Sequence, residues 1–195
     1  LTMTAPADVV LEGNVTFDVT RNGVPFTVNE ENHATLTYQG NTATFTARDA
    51  GTYVLTPRMT DSDTVGVKPS GDLTVTVEKA PFPISLTMPE GQPYTIGSII
   101  EAEVTLNGIA DWNKEEFITL FWDDAEGEAV YSQYSSYDYL EEYGRFNIAL
   151  HDTRIDNGPS VPGEWTIMLF IGYAGVRENY EEAEPITFSV CKEVE

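Results

Sequence analysis

The sequence is poor in cysteine, in basic residues and in histidine. Its 195 residues include one cysteine, Cys191, so no disulfide can form within the chain. That leaves a cytosolic protein or a surface protein that does without disulfides, because a secreted chain with an odd thiol is uncommon. Lys and Arg number 10 against 32 Asp and Glu, for a formal net charge of -22 and a pI near 4.1. So acidic a surface argues against nucleic acid, since phosphate binding needs a Lys/Arg face. It argues equally against an anionic membrane surface. No apolar run approaches the roughly 18 residues of a spanning helix, so no membrane insertion is expected. A signal peptide is also missing, and the chain starting at Leu1 reads as a fragment of a longer precursor.

Catalysis lacks its usual ingredients. The two histidines, His33 and His151, fall in different halves of the chain. There is no G-x-S-x-G, no H-E-x-x-H, no P-loop and no G-x-G-x-x-G. Paired carboxylates of the glycosidase kind arise by chance among 32 acidic residues, so they single out no site. The expectation is a protein that is not an enzyme and carries no cofactor.

What the sequence does have is alternation of period two. Val15, Phe17 and Val19 alternate with Thr16, Asp18 and Thr20, and Leu73, Val75 and Val77 alternate with Thr74 and Thr76. Thr35–Tyr38 and Thr42–Ala47 alternate likewise. Such runs put apolar side chains on one face of a sheet and hydroxyls on the other. Turn signals separate them at Asn22-Gly23, Gln39-Gly40-Asn41 and Ser70-Gly71-Asp72. A spacing of about ten residues suits an all-β sandwich. Pro81 and Pro83 interrupt the pattern, and two prolines so close stiffen a chain and cannot sit in a central strand. A domain boundary is therefore expected near residue 80, giving domains 1–80 and 81–195. Composition changes there as well. Residues 1–80 hold 10 acidic and 5 basic residues, residues 81–195 hold 22 and 5, and all three tryptophans lie in the second part.

The most specific string is Asp49-Ala50-Gly51-Thr52-Tyr53. It resembles the D-x-G-x-Y signature of immunoglobulin-like domains, in which a tyrosine corner closes the turn into the strand before last. The resemblance implies that the Tyr53 hydroxyl bonds to main chain a few residues upstream while the ring packs in the core. Leu55 stands where antibody domains have a cysteine, which resembles the disulfide-free modules of bacterial surface proteins. The second half has a looser parallel in Gly163-Glu164-Trp165, where Val161 replaces the aspartate. The fold expected is thus two tandem immunoglobulin-like β-sandwich domains. If Val19 and Leu106 close comparable strands, the second domain carries about 25 additional residues between Asn107 and Ser160. That stretch reads as an aromatic and acidic insertion, with one helical turn over 138–143.

The resemblance implies an extracellular or cell-surface setting, with a role in adhesion, in binding or as a spacer. A carbohydrate-binding accessory of a larger glycan-degrading enzyme is the alternative, and an enzyme built on the carboxylate loops a third. Trp112, Trp122, Tyr134, Tyr137 and Tyr139 are the candidate ligand-binding residues. A pyranose CH face stacks on such rings while neighbouring polar groups take the hydroxyls. The competing expectation is that several of these rings are strand residues packed in the core. Partners on this reading are a glycan or a host surface protein. Asp123, Asp124 and Glu126 are weak calcium candidates, together with Asp61-Ser62-Asp63, Asp152 and Asp156-Asn157-Gly158. None has EF-hand spacing, and a solvated acidic face is the favoured explanation of them.

Overall fold

A computed structural model describes residues 1–60, 71–107, 116–123, 128–150, 159, 161–172 and 174–192. For 116–123, 128–131, 133, 134, 174 and 175 it describes the backbone alone. The chain divides into two compact units, Leu1–Lys79 and Ala80–Glu195.

The described residues of the first unit form seven strands: β1 (Thr2–Thr4), β2 (Val15–Arg21), β3 (Val24–Pro25), β4 (Ala34–Gln39), β5 (Thr42–Ala47), β6 (Gly51–Met59) and β7 (Leu73–Val77). They form one sheet ordered β1-β5-β4 and another ordered β3-β2-β6-β7. The turn chemistry is visible in the hairpins. Asn22 and Gly23 both take positive φ, as a tight two-residue hairpin requires, and Arg21 pairs with Val24 across them. Alternation decides what goes inside. Val15 and Val19 of β2, Ala43 and Phe45 of β5, and Tyr53 and Leu55 of β6 are buried in one apolar cluster. Their neighbours Thr16, Asp18 and Thr46 face outward.

The second unit adds β8 (Ile84–Thr87), β9 (Tyr94–Thr95), β10 (Ile99–Leu106), β11 (Glu116–Asp123), β12 (Glu128–Ser136), α1 (Tyr137–Tyr143), β13 (Arg145–Ala149), β14 (Gly163–Ile171), α2 (Ala174–Arg177) and β15 (Ile186–Cys191). Its sheets are β13-β10-β8 and β12-β11-β14-β15-β9. Ile100, Ala102 and Val104 of β10 meet Trp165, Ile167, Leu169 and Ile171 of β14 in a separate buried cluster. Each unit is therefore a two-sheet sandwich with its own core, and the described residues are all-β apart from two short helices.

Strand pairing corrects the matching of the two halves. Val19 lies on β2, which runs beside β6, whereas Leu106 lies on β10 in the opposite sheet beside β13. The counterpart of β2 is β11, since each begins a hairpin and flanks the strand with the aromatic corner. Arg21 pairs with Tyr53, 32 positions later, and Asp123 pairs with Trp165, 42 positions later. The surplus there is about ten residues, not 25. The stretch from Asn107 to Ser160 is no loop insertion, because it contains β11, β12, α1 and β13. Alternation reveals that a segment is a strand, but the strand beside which it lies is a non-local property.

Candidate functional site

Both units turn into their β6 or β14 strand on an aromatic corner. The Tyr53 hydroxyl donates to the Asp49 carbonyl at 2.9 Å, and its ring is fully buried against Phe26 and Phe45. Burial raises the Tyr53 pKa above its ordinary value near 10, with Arg21 opposing and Asp49 adding to the shift. Trp165, 1% exposed, donates from Nε1 to the Val161 carbonyl at 3.2 Å. The two bonds span the same four residues, and the glycine two positions before each ring occupies the same place in its ladder: Gly51 pairs with Val77 and Gly163 with Val190. Both glycines have φ of +151°, which side-chain-bearing residues rarely adopt.

The first corner is further braced by charge. Arg21 donates from Nε and Nη2 to the Ala50 carbonyl at 3.1 and 2.6 Å, and its Nη1 lies 3.7 Å from Asp49 Oδ2. His33 Nδ1 is 3.2 Å from Asp49 Oδ1. Asn22 Oδ1 accepts from the Thr52 amide at 2.9 Å. Asp49 thus holds Arg21 and His33 at the mouth of the turn, and the arrangement positions backbone. Arg21 and His33 escaped the sequence reading, though Arg21 precedes the Asn-Gly turn signal that lays it beside Tyr53.

The aromatic candidates separate. Trp112 lies outside the described residues. Trp122 sits on β11 next to an irregular register step at Phe121/Trp122, and Tyr134 sits on β12 opposite Ile118. Tyr137 does not face solvent: it is 5% exposed and belongs to the second core. The reason is α1, whose period of 3.6 turns Tyr137 and Leu140 inward together. Ser136 caps it, its side chain accepting from the Tyr139 amide, and Gly144 closes it in the left-handed conformation. The same turn puts Tyr139 and Tyr143 outside, 40% and 48% exposed, with ring centroids 4.6 Å apart and planes tilted by 38°. Tyr143 is the residue that the sequence reading left off its site, and its i, i+4 spacing from Tyr139 was the available signal. Exposed Asp138, Glu141 and Glu142 share the helix.

Of the calcium candidates, Asp123 ends β11. Asp124, Glu126, Asp61, Asp63, Asp152 and Asp156 lie outside the described residues. Among the described residues no three His, Cys, Asp or Glu side chains come together as a metal site would require.

The two sheets per unit, the passage of the chain from one sheet to the other between β5 and β6, and the aromatic corner define two tandem immunoglobulin-like β-sandwich modules. The solved structures that resemble the chain include these two. One is dimeric latent PorU from Porphyromonas gingivalis, at 12% identity and a TM-score of 0.41, covering 98% of this chain and 18% of that one. The other is the FN1–FN3 portion of chicken CNTN1, at 9% identity and a TM-score of 0.37, covering 97% and 59%. The chain thus spans less than two thirds of either. No protein-family model and no curated protein matches it.

Proposed function

We propose that these are non-catalytic extracellular modules of a bacterial surface or secreted protein, acting in adhesion or binding through the second unit, with the first as its support. The observation that carries this reading is the exposed Tyr139–Tyr143 ring pair. Stacking gives affinity without a deep pocket, and a flat sugar face or an aliphatic side chain of a host protein suits it. Carboxylates on the same helix favour neutral or cationic ligands and repel sulfated and uronic polymers. An acidic chain with one cysteine and no catalytic motif fits the same setting.

The test is a glycan array and a panel of host surface proteins probed with the full chain and with the Tyr139→Ala/Tyr143→Ala double variant. Binding by the parent that the variant loses supports the reading. Equal binding by both moves the site elsewhere, and silence from both leaves the modules as spacers.

A further inference from the structure

The tyrosine pair on α1 has a defined electrostatic setting. Tyr139 and Glu142 are three residues apart, so at about 3.6 residues per turn their side chains leave the same side of the helix. Glu142 is exposed and takes part in no ion pair among the described residues. The last turn of α1 holds no basic residue, so this carboxylate lies at the negative end of the helix dipole. A cation placed there gains from the carboxylate and from the dipole together. Arg145, two residues past Tyr143, is held by Glu101 at 3.3 Å.

The first unit shows what such a group takes. The guanidinium carbon of Arg21 lies 6.0 Å from the Tyr53 ring centroid, and its Nη1 lies 3.7 Å from Asp49 Oδ2. One guanidinium there serves a tyrosine ring and a carboxylate at once. Arg177 stands likewise 5.5 Å from the centroid of Phe170. On α1 two tyrosine rings and a carboxylate face solvent.

We infer that the occupant of the ring pair, granting the adhesive role proposed above on which this rests, is an arginine side chain of a basic segment in another protein. Its guanidinium stacks on the exposed tyrosine face while its fork of N–H groups reaches the Glu142 carboxylate. Arginine suits this better than lysine, because a planar guanidinium can stack and still donate sideways, whereas an ammonium is a compact and strongly hydrated charge. A sugar suits it less well. Beyond the two phenols, the polar side chains on the solvent side of α1 are Asp138, Glu141 and Glu142, which as carboxylates accept and do not donate. The wider field favours the same partner. Residues 81–195 carry 22 acidic and 5 basic residues, which draws a cationic segment in. A second copy of the chain is disfavoured, since it brings a net -22 of its own.

The test uses the full chain, isotopically labelled, titrated with a capped glycine pentapeptide that carries one central arginine. The same peptide with lysine or with citrulline at its centre serves as the comparison. The arginine peptide should shift the ring resonances of Tyr139 and Tyr143 with a Kd of about a millimolar, as a single exposed contact allows. Citrulline is planar but uncharged and should bind about tenfold more weakly, and lysine about threefold more weakly. Glu142→Gln should weaken arginine binding about fivefold and reduce its dependence on salt. Tyr139→Ala/Tyr143→Ala should abolish the shifts on α1. Both variants should leave the unfolding temperature nearly unchanged, because the altered side chains are exposed. Equal binding of the arginine and citrulline peptides, or an unchanged affinity in Glu142→Gln, overturns the arginine assignment while the ring pair stands as an adhesive surface. Shifts on α1 from a glycan, with none from the arginine peptide, do the same. Silence of α1 toward every peptide and every glycan overturns the assignment and the adhesive reading together.

Discussion

The two corners solve one problem with different groups, and the difference shows what the position demands. Tyr53 reaches the carbonyl four residues back with a hydroxyl, Trp165 with an indole N–H. What is kept is a large ring that fills the core, a donor at its far end, and a glycine two positions earlier. What varies is the support. Asp49, Arg21 and His33 surround the first turn, whereas Val161 stands in place of Asp49 at the second. A ring with one polar tip can dock in a core because its single donor is satisfied locally.

The strongest way to break the comparison is to remove a ring. Trp165→Ala empties the space of the largest fully buried side chain among the described residues of its unit and should cost about 3–5 kcal/mol. Since the two buried clusters share no residue, chemical denaturation of the full chain should show two transitions, of which only the second unit's moves. A single transition, or a shift in both, would mean that the units are not independent. Tyr53→Phe keeps the ring and removes only the donor, leaving the Asp49 carbonyl without it. A loss of roughly 1–3 kcal/mol is expected in the first unit, and a value within error would show that the hydroxyl is incidental.

The glycines sharpen the comparison. At Gly51 an added Cβ would lie 3.0 Å from Arg21 Nε and 3.2 Å from Arg21 Cγ and Asn22 Oδ1, while at Gly163 it meets nothing within 4 Å. Both pay for the unfavourable φ, so Gly51→Ala should destabilise by about 1 kcal/mol more than Gly163→Ala. Equal losses would mean that Arg21 gives way freely. Alkaline unfolding separates the corners by charge. The folded pKa of Tyr53 is raised, so its contribution is complete below the unfolded value near 10 and is lost as pH climbs through the folded one. The first unit should weaken above about pH 10, and Tyr53→Phe should reduce that dependence without abolishing it, because burial raises Tyr38 in the same unit as well. Tyr94 is also raised by burial, so the second unit weakens too, but Trp165→Phe should leave its slope unchanged. The smallest effect belongs to Arg58→Ala. Its bridge to Asp18 is 64% and 65% exposed, so the loss should stay within about 0.5 kcal/mol and fade with added salt.

Much of this architecture is legible along the chain because its signals are local. Alternation gives the strands, Asn22-Gly23 gives a hairpin, and Asp49-Ala50-Gly51-Thr52-Tyr53 gives the corner, since donor and acceptor lie four residues apart. What was not legible depends on partners far away in sequence. β2 and β10 read alike as alternating strands, yet one joins the β6 sheet and the other the opposite one. Tyr137 and Tyr139 share a strand's parity in the sequence, and the capped turn at Ser136 changes the period and sends them to opposite sides. For the candidate site, composition pointed to the tyrosine run, but only helical phasing pairs Tyr139 with Tyr143.

The parallel pairing of β9 with β15 bears on how the second unit carries load. Val190 faces Tyr94, Cys191 faces Thr95, and the Ile96 amide donates to the Cys191 carbonyl at 2.9 Å. Tension drawn through this unit from its leading segment to its last strand pulls these neighbours past each other along their length. The hydrogen bonds between them are then sheared together and must break at once.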